Sequence, residues 1–127
     1  MPIVAEQYRF VVGVDTHARS HTLVIVDSSS GRQVDAATFP ATVAGSARAA
    51  SWLTRRSGNT NAVLVSMEGT GSYGAKLREC LAAGAFRVVE APSPSRAQYR
   101  IKGKSDRLDA LRAAEAVLSL PTDSLTE

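Results

Sequence analysis

Four acidic residues have the types and the spacing of a metal-dependent site that acts on phosphate esters. They are Asp15, Glu68, Asp106 and Asp109. Asp15 and Glu68 each end an apolar run, whereas Asp106 and Asp109 lie three residues apart at the start of a predicted helix, where both side chains face one way. Carboxylate oxygens are preferred ligands of Mg²⁺ and Mn²⁺. The four carboxylates therefore predict a site for one or two metal ions over a phosphodiester.

Each part of this acidic set has an alternative interpretation. Asp15 is also compatible with simple termination of a strand, or with the phosphate loop of an actin-like sugar kinase. Asp106 and Asp109 are also typical of helix capping, because a carboxylate at the N-cap or in the first turn is stabilised by the helix dipole. Capping and metal binding are compatible with each other.

A glycine pattern directly after Glu68 suggests a different function. Gly69, Gly71 and Gly74 form a G-x-G-x-x-G sequence between a predicted strand and a predicted helix, and Glu90 ends the next strand. This arrangement is typical of a dinucleotide-binding turn. Against it, Glu68 would repel a pyrophosphate, and the chain offers only one βαβ unit. In the metal interpretation the glycines permit a sharp turn and close approach of substrate to Glu68.

Two histidines and two tyrosines near these motifs are weaker candidates. His17 and His21 follow Asp15 and are placed to contact phosphate or metal, although a turn or surface position is the commoner role. Tyr73 and Tyr99 are able to stack on bases or simply to pack.

Composition restricts the class of protein. A chain of 127 residues with a net charge of +3 is the size of one domain. Its one cysteine, Cys80, fits a small core residue and a reducing compartment, so we expect a cytoplasmic protein. No apolar run approaches the ~20 residues of a membrane span. The N-terminus does not have the pattern of a signal peptide.

Positive charge is concentrated around the last acidic pair. Between Arg96 and Arg112 six basic residues and two acidic ones give a local charge of +4, whereas residues 113–127 carry three acidic residues and no basic one. A basic rim around an acidic pocket suits a polyanionic substrate. A solvated helix face is the alternative.

The periodicity predicts the order β-β-β-α-β-α-β-α. The predicted strands are 8–15, 21–27, 33–39, 61–67 and 86–90, and the predicted helices are 42–56, 72–83 and 105–119. On the first helix we expect Val43, Ala47, Ala50 and either Trp52 or Leu53 to face inward. On the last helix, one face is expected to carry Leu108, Leu111, Ala114 or Glu115, and Leu118. Three antiparallel strands followed by parallel ones predict an α/β fold with a mixed, ribonuclease H-like sheet.

Three motifs together resemble a family of insertion-sequence recombinases. They are GVDTH at 13–17, MEGTGSYG at 67–74 and KGKSDRLDA at 102–110. In this order they look like the N-terminal DEDD domain of the IS110 transposases, which have Piv-type DNA invertases as relatives. The third motif is the most specific, and the resemblance spans roughly residues 9–118.

The resemblance implies a RuvC-like fold with Asp15, Glu68, Asp106 and Asp109 as the catalytic tetrad that binds Mg²⁺ or Mn²⁺. It also implies recombination of donor and target DNA guided by a bridge RNA, in the bacterial cytoplasm at the nucleoid. Homo-oligomers, beginning with a dimer, would assemble further in the full-length protein. The expected nucleic-acid contacts are basic: Lys102, Lys104, Arg107, Arg100 and Arg96.

One departure from the family pattern concerns a second domain. Members continue into a domain with a nucleophilic serine, which this sequence lacks. We therefore expect residues 1–120 to form the RuvC-like domain and 121–127 to begin a linker to the serine domain. Without that domain, this chain alone is expected to be inactive in full recombination. The alternative function is an RNA- and DNA-binding and dimerisation module without independent catalysis.

Overall fold

A mixed sheet of five strands forms the centre of the fold. Our computed structural model describes residues 2–58, 60–92 and 106–125, with the side chains of all these residues except Thr60 and Asp106. Within these ranges the strand order is β3-β2-β1-β4-β5. The strands are β1 Phe10–Thr16, β2 Ser20–Asp27, β3 Arg32–Pro40, β4 Val63–Met67 and β5 Arg87–Glu90, and the helices are α1 Val4–Gln7, α2 Val43–Ser57, α3 Ala75–Ala83 and α4 Asp106–Glu115.

The directions of the strands confirm the predicted α/β fold with a mixed sheet. The first three strands pair antiparallel, whereas β4 pairs parallel to β1 and β5 pairs parallel to β4. Since almost every residue of β1 and β4 is buried, these strands take inner positions in the sheet with helices on both faces. The predicted bounds differ from the observed ones by up to four residues, and the short α1 was not predicted.

The two faces of the sheet have separate apolar clusters. Val12 and Val14 of β1 face α2 and α3, while Val11 faces α4. This alternation follows from the two-residue period of a strand. It places every odd-numbered residue of β1, including Gly13 and Asp15, on the face covered by α4.

The predictions of which helix residues face inward are right for Trp52, Leu53 and Ala114, and the other residues need correction. On α2, Val43 is 75% exposed, and the buried side belongs to Gly45, Ser46, Ala49, Trp52 and Leu53. On α4, the leucines Leu108 and Leu111 are only half-buried, and Ala110 and Ala113 face the sheet together with the predicted Ala114. A Cβ built on Gly13 would lie 1.7 Å from the carbonyl oxygen of Ala110, so α4 packs directly on the backbone of β1.

The end of the described chain returns to its beginning. Pro121 forms an isolated bridge with Ile3, and the amide of Thr122 donates to the carbonyl of Pro2. The segment where we expect a linker thus starts with residues that pack on the domain. Among the described residues, no helix is long and apolar enough to cross a membrane.

Candidate functional site

Two of the predicted carboxylates follow paired positions on neighbouring strands. Val14 of β1 and Met67 of β4 are register partners in a parallel pair, so the next residues, Asp15 and Glu68, lie side by side at the carboxyl edge of the sheet. Adjacent strands are about 4.8 Å apart. The hydroxyl of Thr16 donates to the backbone carbonyl of Glu68 at 2.9 Å, which ties the two strand ends together.

Asp15 is a buried carboxylate with a histidine partner. It is 7% exposed, on the face covered by α4. Its Oδ2 lies 2.8 Å from Nε2 of His17, whose side chain is half exposed. A buried carboxylate needs a compensating donor or cation. In this structure His17 is such a donor, and a metal ion would be another.

The turn that carries Glu68 is fixed by Glu90. The amides of Gly69 and Thr70 donate to the Glu90 carboxylate at 3.0 and 3.1 Å, and the Thr70 hydroxyl donates to it at 2.6 Å. Gly69 has φ of +72°, a conformation that favours glycine. Sequence analysis did not find this role of Glu90, and the available signal was its position at the end of the strand beside β4.

These contacts disfavour the dinucleotide interpretation. In that interpretation the backbone amides after the strand would point at a pyrophosphate. Here Gly69 and Thr70 donate their amides to Glu90, and α3 begins only at Ala75. The middle glycine, Gly71, has nothing within 4 Å of a built Cβ, so no close approach within the described chain requires it.

The last helix brings the second acidic pair towards the same edge. Just beyond α4, the carbonyls of Leu118 and Leu120 accept hydrogen bonds from the amides of Ala5 and Val4, which precede β1. Earlier in the helix, Ala110 lies over Gly13 of β1. The helix therefore runs antiparallel to β1, and its first turn is directed towards the Asp15 end of the strand. That turn contains Asp106 at its first position and the half-buried Asp109.

The donor chemistry fits a hard divalent cation, but the described side chains alone do not complete its site. Asp15, Glu68 and Asp109 offer carboxylate oxygens, which suit Mg²⁺. No three His, Cys, Asp or Glu side chains among those described lie close enough to hold one metal ion. That set excludes the side chain of Asp106. The strand register sets Asp15 beside Glu68, and α4 starts towards the same edge of the sheet. The assignment of all four residues as metal ligands stays a prediction.

Two buried polar atoms near this edge have no partner among the described residues. The hydroxyl of Ser66, the register partner of Gly13, is fully buried. His21 is also buried, with an unpartnered Nδ1. Burial, and secondarily the nearby His17, lowers the pKa of His21 below its ordinary value. Thus His21 is a neutral core side chain on the face of α2 and α3, which excludes it from the face of Asp15.

One of the predicted nucleic-acid contacts lies within the described residues. Arg107 is exposed on α4, and its Nε donates at 2.9 Å to Gln33 of β3 when the Gln33 amide is oriented with its oxygen towards it. Lys102, Lys104, Arg100 and Arg96 lie outside the described residues, as does Tyr99. Tyr73 is 62% exposed in the turn after Glu68, so it does not pack in the core.

The sequence matches a family model over most of its length. Residues 12–126 match the model of the IS110-type DEDD transposases, described as transposase. This range contains the four predicted carboxylates. No curated protein sequence matches the chain.

Solved structures with similar folds include those of two resolvases. RuvC of T. thermophilus, in complex with a Holliday junction substrate, has a TM-score of 0.57 and 13% identity, over 87% of this chain and 92% of that one. The resolvase of fowlpox virus, solved with Holliday junction DNA, has a TM-score of 0.48 and 15% identity, over 85% and 93%. The likeness to RuvC confirms the ribonuclease H-like, RuvC-like fold.

Proposed function

Since this chain belongs to the IS110-type family of DEDD transposases, we propose that it supplies the metal-binding carboxylates with which a recombinase cleaves and exchanges DNA strands. The observation that carries the proposal is the register of β1 and β4, which sets Asp15, on the face covered by α4, beside Glu68. The close packing of α4 on Gly13 directs Asp106 and Asp109 towards them.

In this proposal Asp15, Glu68, Asp106 and Asp109 hold Mg²⁺ or Mn²⁺. When bound, one or two such ions polarise a scissile phosphate and stabilise the charge that develops on it. The protein orients the ligands through Thr16 and through the turn after β4. His17 would have to release Asp15 or share it, because it already contacts Oδ2.

We propose donor and target DNA as substrates and a bridge RNA as the guide. RuvC, which has the same fold, was solved with a Holliday junction, and branched DNA is a product of strand exchange. The basic residues 96, 100, 102, 104 and 107 would contact phosphates. A nucleophilic serine in a second domain, reached through residues 121–127, would complete the site in an oligomer.

The test of the catalytic assignment is Asp15→Asn in the full-length recombinase. We expect recombination to fall at least about 100-fold, because changes in residues that merely support a metal ligand already cost 10–100-fold. Asp123→Asn, at an exposed aspartate in the turn after Pro121, is the matched control and should recombine normally. Normal activity of Asp15→Asn would refute the assignment.

A second candidate function is a nucleic-acid-binding and assembly module without independent catalysis. One observation favours it: Arg107 of α4, which follows the basic residues 96–104 in the sequence, is exposed. This candidate predicts that RNA binding persists without a divalent metal, whereas cleavage in the first candidate depends on it.

A further inference from the structure

We propose that Glu90 is a positioning residue, which holds Glu68 in place by fixing the turn that follows β4. The inference rests on the proposed function, because it assigns Glu90 a role towards a metal ligand. It assigns Glu90 no contact with metal or substrate.

The contacts of Glu90 use both of its carboxylate oxygens. Oε2 accepts from the amide of Gly69 at 3.0 Å, and Oε1 accepts from the amide and the hydroxyl of Thr70 at 3.1 and 2.6 Å. Hydrogen bonds to a charged acceptor are roughly twice as strong as neutral ones. Three of them on two consecutive residues fix the path of the chain directly after Glu68.

Glu68 is thereby held between its two neighbouring strands. Glu90 of β5 is the register partner of Met67 of β4. From there its carboxylate accepts hydrogen bonds from the two residues just after Glu68. From the other side, the Thr16 hydroxyl donates to the Glu68 carbonyl at 2.9 Å. The peptide unit that joins Glu68 to Gly69 is therefore restrained at both of its polar groups, its carbonyl from β1 and its amide from β5.

This restraint matters because a metal ligand functions only within a narrow range of positions. Ligands of a functional site must be held within about 0.5 Å of their productive positions. A turn with three glycines in six residues has little intrinsic stiffness, since glycine adopts many backbone conformations. The carboxylate of Glu90 supplies the stiffness that the sequence of the turn lacks, and its three hydrogen-bond donors stabilise the negative charge of that carboxylate.

The experiment compares Glu90→Ala with wild type by two measurements on this chain. Amide hydrogen exchange reports whether Gly69 and Thr70 lose protection, and calorimetric titration with Mn²⁺ reports metal affinity. We expect faster exchange at both amides and a fall in Mn²⁺ affinity of about 10-fold, the lower end for loss of a residue that supports a ligand. Glu90→Gln keeps the shape of the side chain, and its exchange rates and Mn²⁺ affinity should lie between those of wild type and Glu90→Ala. Exposed Glu79 of α3 provides the matched control, and Glu79→Ala should change neither measurement.

Glu68→Gln separates this inference from the proposed function. If Glu90 acts only through Glu68, the double variant Glu68→Gln with Glu90→Ala binds Mn²⁺ as weakly as Glu68→Gln alone. Wild-type affinity in both Glu90 variants, with weakened binding in Glu68→Gln, overturns the positioning role and leaves the metal site standing. No Mn²⁺ binding by wild type, or binding unaffected by Glu68→Gln, overturns both.

Discussion

His21 and Asp15 lie on opposite faces of the sheet, and their surroundings give them opposite roles. Asp15 is buried beside a donor, His17, at the edge where metal ligands are predicted. His21 lies on the same face of β2 as Leu23 and Ile25, which belong to the apolar cluster under α2 and α3. Its Nδ1 has no hydrogen-bond partner among the described residues. A charged imidazole there would be desolvated and uncompensated. His21 therefore folds as a neutral group and makes stability depend on pH.

The predicted pH dependence follows from the lowered pKa of His21. Because the unfolded chain keeps an ordinary pKa near 6.5, it binds more protons than the folded chain as the pH falls. The contribution of His21 is fully present above about pH 6.5 and is lost as the pH falls towards the folded pKa, by up to about 1.4 kcal/mol per pH unit. Urea unfolding between pH 7.5 and 5 measures this loss.

The matched variant is His21→Phe, which keeps a ring of similar shape without a titratable group. Its free energy of unfolding should change less over the same pH range. Asp27 does not confuse the comparison, because its pKa is lowered by hydrogen bonds from Ser29 and its loss of stability occurs below about pH 4. An unchanged slope in His21→Phe would assign the pH dependence to other groups.

Sequence patterns were sufficient for the order of the elements but not for the faces of the helices. Hydrophobic period distinguishes strands from helices, so the eight predicted elements are all present. The rotation of α2 is set by a contact that no period reveals: a Cβ on Gly45 would lie 2.0 Å from the carbonyl of Pro40. That close approach turns Gly45 and Ser46 inward and leaves Val43 in solvent.

The same limit applies to the candidate site. Asp15 and Glu68 were predictable, because each ends an apolar run and parallel strands align their carboxyl ends. The role of Glu90 was not, since it depends on where β5 lies relative to the turn after β4. On α4, leucine is the stronger hydrophobic signal, but the glycine at position 13 of β1 selects the alanine face.

Gly13 gives a prediction at the scale of a helix on a strand. Gly13→Ala places a methyl group where the Ala110 carbonyl lies, so α4 has to move away from β1. We expect the free energy of unfolding to fall by about 3 kcal/mol or more, at the upper end for overpacking. Urea unfolding with an unchanged m-value measures it.

Gly71→Ala is the control for Gly13→Ala, since a built Cβ there has nothing within 4 Å. It should remain within about 0.5 kcal/mol of wild type. A Gly13→Ala protein as stable as Gly71→Ala would mean that α4 does not pack on the backbone of β1. The proposed approach of Asp106 and Asp109 to Asp15 would then lose its structural basis.

At the scale of the whole molecule, the sheet separates two surfaces that are covered by different helices. One face is covered by α2 and α3, and the other by α4, which follows the basic residues at 96–104 and carries Arg107. Asp15 lies on the α4 side of the sheet. A polyanion that approaches the proposed tetrad therefore meets the exposed Arg107 on the same side, whereas α2 lies behind the sheet.

The proposed function predicts which basic residues neutralise phosphates of a bound nucleic acid and thereby release its counterions into solvent. The logarithm of RNA affinity should fall linearly with the logarithm of salt concentration, with a slope of about −0.7 for each phosphate neutralised on a single strand. Lys102→Ala and Lys104→Ala should each make the slope shallower by about that amount and weaken binding. Arg55→Ala removes the same charge from exposed α2 and should leave the slope unchanged. Equal effects of all three variants would show that RNA responds to net charge alone, and binding insensitive to salt would exclude the basic segment as the docking surface.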